Sequence, residues 1–341
     1  MSYTLLARYI PVVPVDTIGT PALWVGFLAF VLAMLMVDLG IFQRRPHAVG
    51  WREAIAWSAV WVGLALLFDL GIYVWFGPER ALEFLTGYLI EKALSLDNLF
   101  VFIVIFGYFG IPSTQQHRVL FWGILGALAM RAAAIVGGGA LLDAFHWTIY
   151  VFGGLLVLTG ARLWHTRNSD GHKGTARLVR GLARVLPVAR QPHGQRFVAR
   201  EGSRVVPTPL FLALISVEVS DLVFAVDSIP AIFAITRDPF IVFTSNIFAI
   251  LGLRALYFLL AGGLSRVRYL SAGLAAVLVF VGAKMLVSEW VAVPVGVSLA
   301  VIALILGTAV FASMARPAAA GRNPGVAAVP EEMARLSSGP T

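Results

Sequence analysis

Five carboxylates stand within two long apolar stretches of the chain. The first stretch contains EKALSLDNLFVF, residues 91–102, and the second contains EVSDLVFAVDSIP, residues 218–230. The acids are Glu91, Asp97, Glu218, Asp221 and Asp227. An ionised carboxylate at the centre of a bilayer costs on the order of 2.5–3.5 kcal/mol. Five would together cost more than ~10 kcal/mol, which is comparable with the stability of a whole domain. Pairing, protonation or a bound cation must therefore compensate.

The residues around these acids favour a hard cation. Asn98, Ser220 and Ser228 add neutral oxygens beside them. Carboxylate, carbonyl and water oxygens suit Mg²⁺, Ca²⁺ and Mn²⁺. The chain has no cysteine, and neither stretch contains a histidine, which argues against a zinc or copper site. We therefore predict a divalent-metal site whose ligands are Asp97, Asp221, Asp227, Glu91, Glu218 and Asn98, with Glu91 and Glu218 serving as ligands or proton carriers.

Internal salt bridges are the alternative interpretation of the same acids. The bases that could pair with them are Lys92, Arg131, Arg254 and Lys284. We predict Lys92, Arg131 and Arg254 as charge-balancing residues. The acids concentrate in two stretches while the bases mostly lie on others, so pairing accounts for only part of the charge.

The second acidic stretch poses a geometric problem. Glu218 and Asp221 are three residues apart and share one face of a helix. Asp227 is nine residues beyond Glu218, nearly opposite it on an ideal helix. Pro230 removes one backbone hydrogen bond, so a break near residues 226–230 would turn Asp227 inward. An ordinary proline kink is the alternative.

Two further acids lie in the first two apolar stretches. Asp38 stands near the end of MLMVDLGIF, and we predict a role for it in a gate or a proton path, together with Glu91 and Glu218. Asp69 lies deep within LLFDLGIY, and its role stays open.

The elements that position these residues are membrane spans. The chain is 59% hydrophobic and only 13% charged, whereas soluble domains carry about 25% charged residues. We predict an all-α integral membrane protein, because so much apolar surface must face lipid. A span needs about 20 apolar residues, and about nine transmembrane helices qualify, at 21–42, 54–76, 84–109, 119–141, 147–165, 208–235, 240–261, 269–288 and 293–313.

Positive charge predicts the orientation of these spans. Lysine and arginine concentrate in the segments after the first, fifth, seventh and ninth helices, which all lie on one side if nine spans exist. We predict a multi-pass protein of the bacterial inner membrane with its N-terminus outside and its C-terminus cytoplasmic. Residues 1–20 form an N-terminal periplasmic segment, 166–207 a cytoplasmic basic loop, and 314–341 a disordered cytoplasmic tail. Topology explains the net charge of +8 without nucleic acid.

The transmembrane domain, residues 21–313, contains an internal repeat. GILGALAMRAAAI, residues 123–135, resembles AILGLRALYFLL, residues 249–260, and SLDNLF, residues 95–100, resembles AVDSIP, residues 225–230. These matches relate residues 84–165 to residues 208–288. Copies three spans apart have opposite orientations, so we predict two inverted three-helix repeats, an arrangement that many transporters share.

The acidic stretches EKALSLDNLFVF and EVSDLVFAVDSIPAIFAI resemble the signature segments of the TerC family of integral membrane proteins. The text from FGPERALEFLTGYLIEKALSLDNLFVF to QHRVLFWGILGAL is similar to the Alx branch of that family. The resemblance implies membership of the LysE-like exporter superfamily, with Mn²⁺ as the transported substrate. It maps the family's acids onto the same five positions.

We therefore predict a transporter that exports divalent metal cations, Mn²⁺ above all, from the cytoplasm by proton antiport. The alternatives are a membrane scaffold or metal-delivery protein that recruits a protein partner through loop 166–207, or a transporter of another cation such as Ca²⁺. No nucleophile–base pair or cofactor motif is present in the sequence, so we expect neither an enzyme nor an organic cofactor. The predicted partners are the lipid bilayer and the metal ion.

Overall fold

The structure is a computed structural model, which describes residues 17–42, 50–145, 147–166, 196–201, 204–259, 269–288, 290–291 and 293–315. Most of the predicted N-terminal segment, residues 167–195 and 202–203 of the basic loop, and residues 316–341 of the C-terminal tail lie outside the described residues.

Each of the nine predicted spans contains a helix. The helices are α1 (Pro21–Phe42), α2 (Trp51–Phe76), α3 (Pro78–Tyr108), α4 (Ser113–Ala144), α5 (Thr148–Thr166), α6 (Pro209–Phe233), α7 (Pro239–Leu251), α8 (Leu253–Leu259), α9 (Leu270–Leu286) and α10 (Val295–Ala315). Helices α7 and α8 divide one predicted span at Gly252. Of the described residues, 86% are helical, which confirms the all-α fold. The span count and the repeat remain predictions.

Five of these helical segments are long and apolar enough to cross a membrane. They are Arg52–Phe76, Ser113–Leu142, Pro209–Phe233, Pro239–Leu259 and Val295–Ser313. Helix α3 has sufficient length, but Glu91, Lys92 and Asp97 interrupt its apolar part. Glu91 and Asp97, two of the predicted site residues, are thus among the charges that weaken α3 as a span.

A short hairpin precedes α6. Strands β1 (Val198–Glu201) and β2 (Arg204–Pro207) pair antiparallel, with Val198 opposite Pro207. The sequence predicted only a polar loop here, because a pair of four-residue strands is too short to show a clear alternating pattern.

Helix α7 forms the centre of the bundle, since Phe240–Leu251 are all buried. By contrast, α2 exposes Leu67, Val74 and Trp75, the last with 75% of its surface accessible. An apolar surface of this kind suits lipid and not water. Asp238 fixes the start of α7, because its carboxylate accepts hydrogen bonds from the Phe240 and Ile241 N–H groups.

The helices pack in a reciprocal pattern. Helix α3 packs on α7 and α4 packs on α6, while α3 meets α6 and α5 meets α9. Gly153 and Gly160 of α5 allow close approach to α9, since a Cβ at Gly160 would lie 2.8 Å from the Ala275 carbonyl oxygen. Two copies related by a two-fold axis would produce these same pairings, which supports the predicted repeat.

Candidate functional site: a buried carboxylate and arginine network

Arg131 of α4 lies at the centre of a buried ionic network. Its side chain is 1% exposed, and Glu91 of α3 is fully buried beside it. Arg131 Nη1 donates to Glu91 Oε1. Its Nη2 donates to Asp221 Oδ1 at 3.1 Å and its Nε to Asp221 Oδ2 at 3.4 Å. The guanidinium therefore binds Asp221 of α6 through two parallel hydrogen bonds, a bidentate geometry that strengthens an ion pair.

Neutral oxygens complete the network. Asn246 of α7 accepts from Arg131 Nη1 at 3.0 Å through Oδ1, and its Nδ2 donates to Glu91 Oε2 at 3.2 Å. Ser228 Oγ of α6 accepts from the same Arg131 nitrogen at 3.3 Å. Four helices thus meet at one point, and two carboxylates share one guanidinium.

The two acids of this network come from equivalent places in the predicted repeats. Glu91 stands six residues before Asp97, and Asp221 stands six residues before Asp227. Arg131 on α4 reaches both because α4 packs on α6 while α3 meets α6.

Asp227 lies outside this network. Its Oδ1 accepts a hydrogen bond from Thr159 Oγ1 of α5 at 3.1 Å. Helix α6 continues through Pro230 to Phe233, so the first of the two alternatives, a break at residues 226–230, is wrong. Pro230 stands in the last turn of α6, where the loss of one backbone bond disturbs little downstream helix.

Glu218 also lies apart from Arg131. Its carboxylate faces Gly126 of α4, so closely that a Cβ at that position would overlap it. Glu218 Oε2 is buried and has no hydrogen-bond partner among the described residues. A glycine at position 126 leaves the space that this carboxylate occupies.

Lys92 of α3 makes its contacts outside the Arg131 network. Its Nζ donates to the Ala249 carbonyl oxygen of α7 at 3.3 Å and lies 5.8 Å from the Tyr88 ring centroid. Arg254 is buried in α8 and Asn98 in α3. The side chains of Asp97 in α3 and of Asp38 in α1 lie outside the described part of the structure.

The predicted ligands therefore do not form a single cluster in this conformation. Within the described part of the chain, no group of three or more acidic or histidine side chains is placed to hold a metal ion. Glu91 and Asp221 come together, but Arg131 occupies the space between them. Asp227 and Glu218 point to α5 and α4 instead, because the uninterrupted α6 sends its acids in different directions.

Sequence reasoning missed Asn246 and Thr159. Asn246 is fully buried within PFIVFTSNIFAIL, which has no polar residues besides it except Thr244 and Ser245. A lone amide in such a helix is a costly exception, and that signal could have identified it. Thr159 carries no comparable signal, because threonine is common in helices of this composition.

Comparison with known proteins gives a consistent result. Residues 76–320 match the model of the integral membrane protein TerC family. The chain is 55% identical over 298 residues to an uncharacterized membrane protein of Myxococcus xanthus, covering 87% of this chain and 93% of that one. It is 46% identical over 301 residues to an Escherichia coli K12 protein provisionally described as the membrane-bound redox modulator Alx, covering 85% and 94%. No solved structure matches the chain significantly.

Proposed function

The chain belongs to the TerC family of integral membrane proteins, and on that premise we propose that it exports divalent metal cations, with Mn²⁺ as the favoured substrate. The observation that carries the proposal is the buried network in which Glu91 and Asp221 share Arg131. Two carboxylates with one guanidinium leave one negative charge uncompensated when both acids are ionised.

Arg131 acts in this proposal as a stand-in for the cation. Without a partner, each ionised carboxylate would cost about 2.5–3.5 kcal/mol in the membrane interior. The guanidinium removes most of that cost while the transporter is empty. A divalent cation that enters the network replaces the guanidinium and neutralises both acids, with Asn246 and Ser228 supplying amide and hydroxyl oxygens.

The ligand chemistry supports a hard cation. Carboxylate, amide and hydroxyl oxygens suit Mn²⁺, Mg²⁺ and Ca²⁺ alike, and the preference for Mn²⁺ comes from the family resemblance. The Escherichia coli relative is described as a redox modulator. This chain has no cysteine, so thiol chemistry cannot provide such an effect, whereas export of a redox-active metal ion can.

Export of a divalent cation requires a source of free energy. Moving two positive charges outward against an inside-negative potential costs about 4.6 kcal/mol per 100 mV. We propose that protons move in the opposite direction, with Glu91 and Glu218 exchanging protons as the cation passes. The proposed orientation, N-terminus outside and C-terminus cytoplasmic, rests on the distribution of positive charge.

Mn²⁺ efflux from proteoliposomes loaded with the ion tests this function. The variants are Glu91→Gln and Asp221→Asn, which remove the charges of the two acids of the network, and Glu79→Gln provides a control because Glu79 is exposed in the first turn of α3. We expect efflux from the intact chain and the control, and a loss of at least tenfold in both network variants. Folded network variants that transport normally would mean that the cation crosses elsewhere. An intact chain that moves no Mn²⁺ would refute the proposal and favour the scaffold.

A further inference from the structure

A second set of buried polar atoms belongs to α2 and α3 and takes no part in the hydrogen bonds of the Arg131 network. Six buried side-chain oxygens of the described residues have no hydrogen-bond partner, and four of them belong to these two helices. The four atoms are Ser58 Oγ, Asp69 Oδ1, Tyr88 Oη and Ser95 Oγ. An unpartnered buried polar group costs about 1–3 kcal/mol. Ordered water is the usual partner of such groups in native proteins.

The four residues belong to two neighbouring helices, at spacings that put each pair on one helix face. Helices α2 and α3 pack against each other and are joined only by Gly77, whose φ of 90° makes the turn. On α2, Ser58 and Asp69 are eleven residues apart, which returns to the same face after three turns. On α3, Tyr88 and Ser95 are seven residues apart and share a face in the same way. We call this interface the α2–α3 seam.

Because α2 and α3 run antiparallel from Gly77, the distance of each polar side chain from that turn along the helix axis follows from its position in the sequence. At 1.5 Å per residue, Asp69 lies about 10 Å from the turn and Tyr88 about 15 Å. Ser95 and Ser58 both lie about 26 Å from it. The same counting puts Trp61 and Lys92 at nearly equal depth, about 22 Å.

An independent contact supports this register. Trp61 of α2 and Lys92 of α3 both lie against Gly252, where α7 gives way to α8. The two helices are therefore aligned along the seam as the counting requires.

The spacing along the seam suits single waters. Successive groups, with Lys92 between Tyr88 and Ser95, differ in depth by about 5 Å. A water that bridges two polar atoms spans about twice the usual hydrogen-bond length of 2.8 Å, which is close to this value. The row occupies the middle of α2 and leaves about 10 Å of helix at each end.

We propose that a row of waters fills the α2–α3 seam and that Asp69 is a proton-binding site near its Gly77 end. The inference rests on the proposed function, because it adds to Glu91 and Glu218 a proton-binding site that the cation does not use. A hydronium ion transfers its proton to Asp69 Oδ1: one O–H bond breaks on the water and one forms on the carboxylate. The hydroxyls of Tyr88, Ser95 and Ser58 pass a proton on by accepting one and donating another.

The charges around Asp69 are those of the helices that pack on α2. Helix α3 contributes Glu79, Arg80 and Glu83 at the Gly77 end, where Arg80 pairs with Glu83, and Tyr88 and Lys92 further along. Helix α8 contributes Arg254 and Tyr257, which lie towards the other end of α2, since Tyr257 belongs to the same apolar cluster as Ala54. Helix α7 has no titratable residue. The described part of α1 whose side chains are placed, residues 21–37, has none either.

Infrared difference spectroscopy of the full chain in nanodiscs, recorded between acidic and alkaline pH, tests Asp69 without requiring transport. We expect a C=O stretching band from a protonated carboxylic acid that Asp69→Asn removes and the exposed control Glu79→Gln retains. We also expect bands of buried water that Tyr88→Phe and Ser95→Ala shift. A spectrum in which Asp69→Asn changes no carboxylic acid band would overturn the proposal.

Proteoliposomes provide the second measurement, in which Mn²⁺ efflux and proton uptake are recorded together. Asp69→Asn should bind Mn²⁺ within about twofold of the intact chain, while proton-driven efflux falls at least tenfold. Lost Mn²⁺ binding in that variant would place Asp69 in the cation site and refute a separate proton-binding site. If the intact chain moves no Mn²⁺, the proposed function fails, and the infrared result alone decides whether the seam binds protons.

Discussion

Replacement of Arg131 by glutamine tests the role of the buried network directly. The substitution leaves Glu91 and Asp221 buried in the absence of their shared cation. Removing one partner of a buried ion pair costs about 3–5 kcal/mol. Since 1.4 kcal/mol is a factor of ten, the unfolding equilibrium constant should rise by roughly two to three and a half orders of magnitude. Unfolding of the purified chain in mixed micelles, followed by tryptophan fluorescence, measures this change.

A triple variant separates charge from packing. Arg131→Gln combined with Glu91→Gln and Asp221→Asn is neutral, and its amides can still bond to Asn246 and Ser228. Replacing all members of a buried ionic group together is often close to neutral in free energy, so we expect the triple variant to recover most of the lost stability. Failure to recover it would mean that the network acts through shape and not through charge.

Added Mn²⁺ distinguishes a stand-in cation from a structural salt bridge. A ligand at 100 times its Kd stabilises the folded state by about 2.7 kcal/mol. If Arg131 competes with the cation, Arg131→Gln should bind Mn²⁺ more tightly than the intact chain and gain more stability from it. Equal stabilisation of both proteins, or none, would refute the competition.

Three further substitutions test the surrounding structure. Gly160→Ala should destabilise the chain by about 1–3 kcal/mol, because its Cβ would meet the backbone of α9, whereas Gly154→Ala meets no atom within 4 Å and should be neutral in the same unfolding assay. Thr159→Val should lower stability by about 0.5–1.5 kcal/mol in the same unfolding assay, because Asp227 loses its hydroxyl donor, and Thr159→Ser should restore it. Asp238→Ala should lower stability by about 0.5–2 kcal/mol in thermal unfolding through loss of the α7 cap, and Asp238→Asn should retain most of it.

The positions of the helices could be predicted from the sequence because long apolar runs leave little ambiguity in a membrane protein. Helix α1 begins and ends where the apolar run does, at Pro21 and Phe42. The division of one span at Gly252 could not be predicted in this way. A glycine in an apolar run is tolerated in many helices, and only the structure shows that Trp61 and Lys92 lie against this one, where a Cβ would overlap Lys92 Nζ.

The residues of the site could be predicted, but the hydrogen bonds and ion pairs between them could not. The acids were evident from the cost of charge in an apolar stretch, and Arg131 was evident as a base that could balance them. Which acid meets which base depends on α6 packing against both α3 and α4, and no local pattern encodes that packing. The break expected at Pro230 failed for a related reason, since the effect of a proline depends on how much helix follows it.

The hydrogen bonds and ion pairs of Arg131 also indicate how the network would respond to movement of one predicted repeat against the other. Glu91 and Arg131 belong to the first predicted repeat, so their ion pair lies within one moving body. The bonds from Arg131 to Asp221, Ser228 and Asn246 all cross to the second repeat. A relative rotation of the two repeats would break these bonds and leave the Glu91 pair intact. Asp221 would then be the carboxylate that loses its guanidinium first, and a cation that approaches through the opened interface would meet Asp221 before Glu91.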